Sequence, residues 1–163
     1  MTKNDLIAFW RPYELYGEFS QWYDAEIIID GVIYKNCEQY MMSQKALLFN
    51  DKEVFEEIMK AKKPKEYKDL GKKVKNFKHD IWDTHKRDIV FKCNMAKFTQ
   101  HKTLRDKLLS TGNKILVEAS PYDDIWGVKL KKDDVRILDK STWLGQNLLG
   151  YILMDVREEI KNQ

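Results

Sequence analysis

Residues 38–49, EQYMMSQKALLF, read as a helix. On a helix Glu38 and Lys45 lie two turns apart on one stripe, which Met42 and Phe49 share. The opposite stripe carries Tyr40, Met41, Leu47 and Leu48. Little of this helix is left to serve as a polar face, yet it holds a carboxylate and an ammonium group. Spacing alone leaves two alternatives open. Both charged ends snorkel to water, with Glu38 also favoured near the helix N-terminus by the dipole. Or the ammonium group is there for chemistry.

Outward from this helix the pattern stays mostly helical. Before it, EIIIDGVIYKN (26–36) is a hairpin signal, with Asp30-Gly31 between two β-rich runs. After it, Asp51 caps KEVFEEIMKA, whose apolar stripe is Val54, Phe55, Ile58 and Met59. Pro64 opens a short helix, KEYKDLGKKV. A long helix is predicted over 79–99, with Trp82, Ile89, Cys93 and Ala96 on one face. KTLRDKLLSTGN (102–113) is another helix, stopped by Gly112. KILVEAS (114–120) is a short strand candidate, and PYDDIWGVKLKKDD (121–134) a loop. WLGQNLLGYILMDVREEI (143–160) is a closing helix with Leu148, Leu149, Ile152, Val156 and Ile160 facing inward. The expectation is a compact, mainly α single domain over residues 1–163, with one small hairpin and one or two extra short strands.

The composition fits that size. The chain has 163 residues, 43% of them hydrophobic, enough for one sizeable core. Five Trp and eight Tyr are a heavy aromatic load, which serves core packing or a pocket for flat ligands. Cys37 and Cys93 form no CxxC pair, as expected of reduced thiols in a cytoplasmic protein. The N-terminus lacks the apolar run of a signal peptide, and no stretch reaches the ~18 apolar residues of a membrane span. A soluble cytoplasmic protein is expected.

Net charge is only +3, but it is unevenly spread. From Lys60 to Lys78 nine lysines face only Glu66 and Asp69. Such a run is either a phosphate- or nucleic-acid-binding face or a solvated helical surface. It has no arginine, and its aromatics are only Tyr67 and Phe77. His79, His85 and His101 sit among charged residues at spacings that suggest no metal site. There is no glycine-rich phosphate loop and no nucleophile elbow.

A second segment, LVEASPYDDIWG (116–127), invites chemistry. A strand ending in Glu118 runs into a loop with Ser120, Asp123, Asp124 and Trp126, and loops after strands often present catalytic groups on a rigid base. The alternative is a turn in which Asp side chains bond local amides and Trp126 plugs the core.

Four stretches, EFSQWY, CEQYMMSQKA, MAKFTQHKTLRDKLLSTGNKILVEASPYDDIWG and WLGQNLLGYILMDVREE, together resemble the NADAR family, also called YbiA-like. The resemblance runs in order from about Phe9 to Glu159. The family's Glu-x6-Lys helix falls on Glu38 and Lys45. Its Glu-Ala-Ser-Pro-x-Asp-x-x-Trp-Gly loop falls on Glu118, Ser120, Asp123, Trp126 and Gly127. Its Trp-x-Gly-x-Asn-x-Leu-Gly segment falls on Trp143, Gly145, Asn147 and Gly150. Two positions depart from the pattern. The usual Phe-Ser-Asn-Phe-Tyr is here Phe19-Ser20-Gln21-Trp22-Tyr23, and the glycine often found after Trp-Gly-x is here Lys129.

The resemblance implies a compact helical fold and an N-glycosidase. Some members hydrolyse ribosylamine phosphate intermediates of riboflavin synthesis, and others remove ADP-ribose from guanine in nucleic acid. Both substrates join ribose to an exocyclic amine, and such a sugar opens to an imine. A neutral lysine amine then displaces the base amine, and water releases the sugar from the lysine. Having half a lysine neutral at pH 7 takes roughly 4–5 kcal/mol of bias against its usual pKa of ~10.4. Desolvation in an apolar helix supplies bias of that sign, whereas an ionised Glu38 beside Lys45 opposes it. The expected catalytic residues are therefore Lys45 as nucleophile, Asp123 as main acid/base, and Glu38 in proton handling or ribose holding. Trp126, Trp22 and Trp82 are candidates to stack on the base and Arg11 to hold a phosphate, with Glu118, Ser120 and Asn147 in the substrate site. No metal, cofactor, membrane or obligate protein partner is expected. Rival functions are a non-catalytic ADP-ribose or NAD-binding module and a nucleic-acid-binding protein using the lysine run.

Overall fold

Asp30 and Gly31 both take positive φ, 51° and 79°, as a tight hairpin turn requires. They join β2 (Ile27–Ile29) to β3 (Val32–Tyr34), as predicted. The computed structural model describes all 163 residues, with β1 at Leu6–Phe9, β4 at Ile115–Glu118 and six α-helices. The helices are α1 (Cys37–Leu48), α2 (Lys52–Lys60), α3 (Pro64–Gly71), α4 (His79–Gln100), α5 (Lys102–Ser110) and α6 (Leu148–Lys161). The fold is mainly α, as expected. It comprises two compact units, Asp24–Gln100 and a second built from Met1–Tyr23 with His101–Gln163. No helix is long and apolar enough to cross a membrane.

In the Asp24–Gln100 unit, α1 packs against α2, α3 and α4. Asn36 caps it by accepting the amide of Gln39 at 2.9 Å. Tyr40 and Met41 on its inner side are buried, but Leu47 is exposed. Cys37 and Tyr40 join Ile27, Ile29, Tyr34 and Cys93 in one core cluster, against which Ile89, Ala96 and Met59 pack. Asp51 does more than the predicted cap. One carboxylate oxygen accepts the amide of Val54 at 3.1 Å and the other that of Lys75 at 2.9 Å. It thereby fastens the segment after α3, which carries Phe77.

The second unit is built on a parallel pair, with Leu6 opposite Ile115 and Phe9 opposite Glu118. Val117, Ala119, Val128, Leu130 and Ile137 surround Leu6 in its core. The closing helix begins at Leu148, five residues later than the predicted start at Trp143. The amides of Gln146, Asn147, Leu148 and Leu149 explain the difference. They donate to the carbonyls of Asp124, Gly127, Ile125 and Trp126, at 2.9–3.1 Å, instead of bonding within a helix. Asn147 itself is left-handed, with φ at 52°, which no helix interior accepts. Residues 143–147 are thus a strap across the 124–127 loop.

Lys129, one of the two departures from the family pattern, is also left-handed, with φ at 57°. That geometry explains why a glycine suits the position. The lysine side chain is exposed, so replacing it loses little packing. Lys129→Gly should stabilise the protein by ~0.5–1 kcal/mol, a Tm rise of roughly 1–4 °C. A lower Tm in thermal melts would mean that the lysine makes contacts worth more than the backbone strain.

Candidate active site

Each unit carries one group of the predicted residues. In the first, α1 places Glu38 and Lys45 two turns apart on one stripe. Glu38 is buried at 5% exposure, and Lys45 is half-buried. The Lys45 Nζ lies 4.5 Å from the ring centroid of Phe77 and 5.7 Å from that of Trp82. Phe77 is braced edge-on by Phe49 at 5.2 Å and by His79 at 4.8 Å. Trp82 is held in the first turns of α4 at 9% exposure. The amine therefore ends among ring faces. These attract it while it is charged, but burial acts the other way and pushes its pKa below the ordinary lysine value. Glu38 pulls that pKa upward, and its pull is the smaller. The opposing influences anticipated from the sequence are both present, and desolvation wins.

The second group clusters where β4 ends. Asn147 has no exposure, and its amide is engaged at both ends. Its Oδ1 accepts the Glu118 amide at 2.9 Å, and its Nδ2 donates to the Leu116 carbonyl at 3.0 Å. Asn147, expected in the substrate site, holds the end of β4. Gly150 leaves room for this, since a Cβ there would run into the Leu116 carbonyl and the Asn147 amide. Gly127 lets the loop fold back onto Glu118. A Cβ on it would stand 2.8 Å from the Glu118 carbonyl, 3.0 Å from the buried Glu118 Oε2 and 3.2 Å from the Asp123 carbonyl. Ser120 is buried, and its Oγ accepts the Tyr122 amide at 3.4 Å. Asp123 Oδ1 accepts the amides of Ile125 and Trp126, both at 2.9 Å, so this side chain does form the local turn. Trp126 is half-buried. Arg11 is exposed, with its guanidinium 4.1 Å over the ring of Trp10. Trp22 is half-buried, and its amide donates to Ser20 Oγ at 3.1 Å.

The structure thus brings Lys45 together with Glu38 and Trp82, and Glu118 with Asn147 and the Asp123 loop. Sequence reasoning missed Phe77 as a wall beside the lysine and Phe49 as the ring that braces it. Phe49 shares the lysine's stripe, which was a usable signal. Phe77 reaches Lys45 only through the fold of α3 and the Asp51 bond to Lys75.

A buried charged stripe on one helix and a strapped acidic loop, in this chain order, define a class of protein. Residues 8–161 match the NADAR domain family, and the chain belongs to it. An N-glycosidase of Acanthamoeba polyphaga mimivirus is 46% identical over 146 residues, covering 86% of this chain and 86% of that one. The N-glycosidase YbiA of Escherichia coli is 31% identical over 160 residues, covering 98% of this chain and 91% of that one. The NMR structure of the E. coli protein YbiA matches with a TM-score of 0.80 at 30% identity, covering 99% of this chain and 88% of that one.

Proposed function

We propose that this chain is an N-glycosidase that hydrolyses the bond between ribose and an exocyclic amine through a Schiff base on Lys45. The enzyme class is supported by the relatives, which are named N-glycosidases. The observation that carries the mechanism is the half-buried Lys45 amine among Phe77 and Trp82, with its pKa pushed down by burial. A lysine so placed loses its proton more readily than one in water, and only the neutral amine attacks carbon.

The chemistry runs in balanced steps. The ribosylamine ring opens to an imine between C1 and the base nitrogen. The Lys45 nitrogen bonds to C1, and the C1–nitrogen bond to the base breaks as that nitrogen takes up a proton. The sugar remains as an imine on Lys45. Water adds to C1, the lysine leaves, and the free sugar closes. The net change is one water consumed per base amine and sugar released. Glu38 and Asp123 are the proposed proton carriers.

The substrate is a riboflavin-pathway ribosylamine phosphate or an ADP-ribosylated guanine in nucleic acid. One observation favours the polymer: all nine lysines from Lys60 to Lys78 are exposed, as phosphate contacts require. Incubation with the ribosylamine phosphate and, separately, with an ADP-ribosyl-guanosine oligonucleotide tests the proposal. Base release from one of them assigns the substrate, and release from neither removes the N-glycosidase reading.

Asp123 has a turn-forming bond as well as its proposed acid/base role, and Asp123→Asn separates the two. The amide keeps an acceptor for the amides of Ile125 and Trp126 but cannot carry a proton. kcat should fall about a hundredfold with Tm nearly unchanged. Normal turnover would confine Asp123 to the turn.

A further inference from the structure

The parallel strands of the second unit end side by side, with Phe9 opposite Glu118 and the Ala119 amide donating to the Phe9 carbonyl at 2.8 Å. The residues that follow are therefore neighbours: Trp10 and Arg11 after β1, and the Ala119–Gly127 loop after β4. The ring of Tyr122 stands 5.9 Å from that of Trp10, tilted by 57°. The Arg11 guanidinium covers the ring of Trp10 at 4.1 Å. Three features make this cluster unlike ordinary surface. Tyr122 is 80% exposed, so its ring contributes almost nothing to the core. Arg11 is exposed and makes no ion pair. Stacking uses the face of a guanidinium and leaves the N–H groups at its rim directed outward, the geometry that suits a phosphate. And the loop under Tyr122 is fixed, because the strap bonds every carbonyl from Asp124 to Gly127.

We infer that Trp10, Arg11 and Tyr122 form a nucleotide-recognition patch, in which a flat heteroaromatic base stacks on Tyr122 and a phosphate bonds Arg11. This deepens the proposed function and rests on it for its ligand class, since a ribosylamine of a heteroaromatic base carries both groups. Base stacking on an exposed aromatic tolerates different bases, and the paired cation supplies the preference for a phosphorylated one. The three side chains bind the base and the phosphate and take no part in bond making.

Calorimetric titration of the full chain tests this without turnover. The probes are adenosine 5′-monophosphate, adenosine and ribose 5-phosphate. The wild type should bind the nucleotide more tightly than either fragment. Tyr122→Ala should weaken the nucleotide and adenosine roughly tenfold and leave ribose 5-phosphate unchanged. Arg11→Gln should weaken the nucleotide and ribose 5-phosphate roughly tenfold and leave adenosine unchanged. Both side chains are exposed, so both variants should fold, with melting curves like the wild type. None of these titrations needs turnover, so failure of the N-glycosidase reading would leave them standing. Unchanged nucleotide affinity in Tyr122→Ala, or no binding of any probe at millimolar concentration, would overturn the patch.

Discussion

Borohydride added during turnover should fix a sugar on Lys45, and Lys45→Arg should abolish both the adduct and the activity. Borohydride would reduce the proposed imine between Lys45 and C1 of the open sugar to a stable secondary amine. Mass spectrometry should then place a sugar-phosphate or ADP-ribose adduct on the peptide containing Lys45. Arginine keeps the positive charge and can stack among Phe77 and Trp82, so the variant should fold. Its guanidinium stays protonated and offers no nucleophile. A loss of about a thousandfold or more in kcat, ~4 kcal/mol of barrier, is expected. pH sharpens the test. Burial holds the folded pKa of Lys45 below 10.5, so the trapping rate should climb as pH rises and level off below that value. A plateau only above the ordinary lysine pKa would mean that burial does not activate the amine. Near-normal turnover by Lys45→Arg would remove the Schiff base altogether.

The local signals of this fold were legible because they are short-range. Asp30-Gly31 dictates its own turn, Asp51 caps the helix that follows it, and Pro64 opens α3. Each acts through its own backbone or an amide a few residues away. The features that failed to show are pairings between distant segments. β1 is a run of only four residues, and it becomes a strand by lying beside β4 more than a hundred positions later. The start of α6 was misplaced because residues 143–160 carry helix-compatible side chains throughout. Only the carbonyls of the 124–127 loop show why the amides at 146–149 are used elsewhere. The site divides the same way. Glu38 and Lys45 could be paired from a helical repeat alone, whereas the rings around the amine come from α4 and from the segment after α3. A stripe on one helix says where a charge sits. What desolvates it is decided by everything packed against that helix.

Asn147→Ala should lower Tm by about 10 °C or more. The side chain has no solvent exposure and satisfies two backbone groups of β4, the Glu118 amide and the Leu116 carbonyl. Truncation leaves both without that partner, at ~1–3 kcal/mol each. Alanine also tolerates the left-handed φ of 52° less well than asparagine, which adds roughly 1 kcal/mol. The sum is a large share of the roughly 5–15 kcal/mol by which a domain is stable. For a chain of this length it converts to roughly 2–4 °C per kcal/mol. Asn147→Gly separates the two contributions, because glycine accepts the left-handed backbone and loses only the hydrogen bonds. It should melt between the wild type and Asn147→Ala. Asn147→Asp is the third arm. It keeps an acceptor for the Glu118 amide but sets an oxygen against the Leu116 carbonyl, and should melt below the wild type. Turnover should fall with stability in all three, because the strap that Asn147 anchors also fixes the carbonyls around Asp124–Gly127. An Asn147→Ala protein that melts within 2 °C of the wild type but has lost substrate binding would reverse the assignment. Asn147 would then be a ligand-contacting group, and its bonds to β4 would be dispensable.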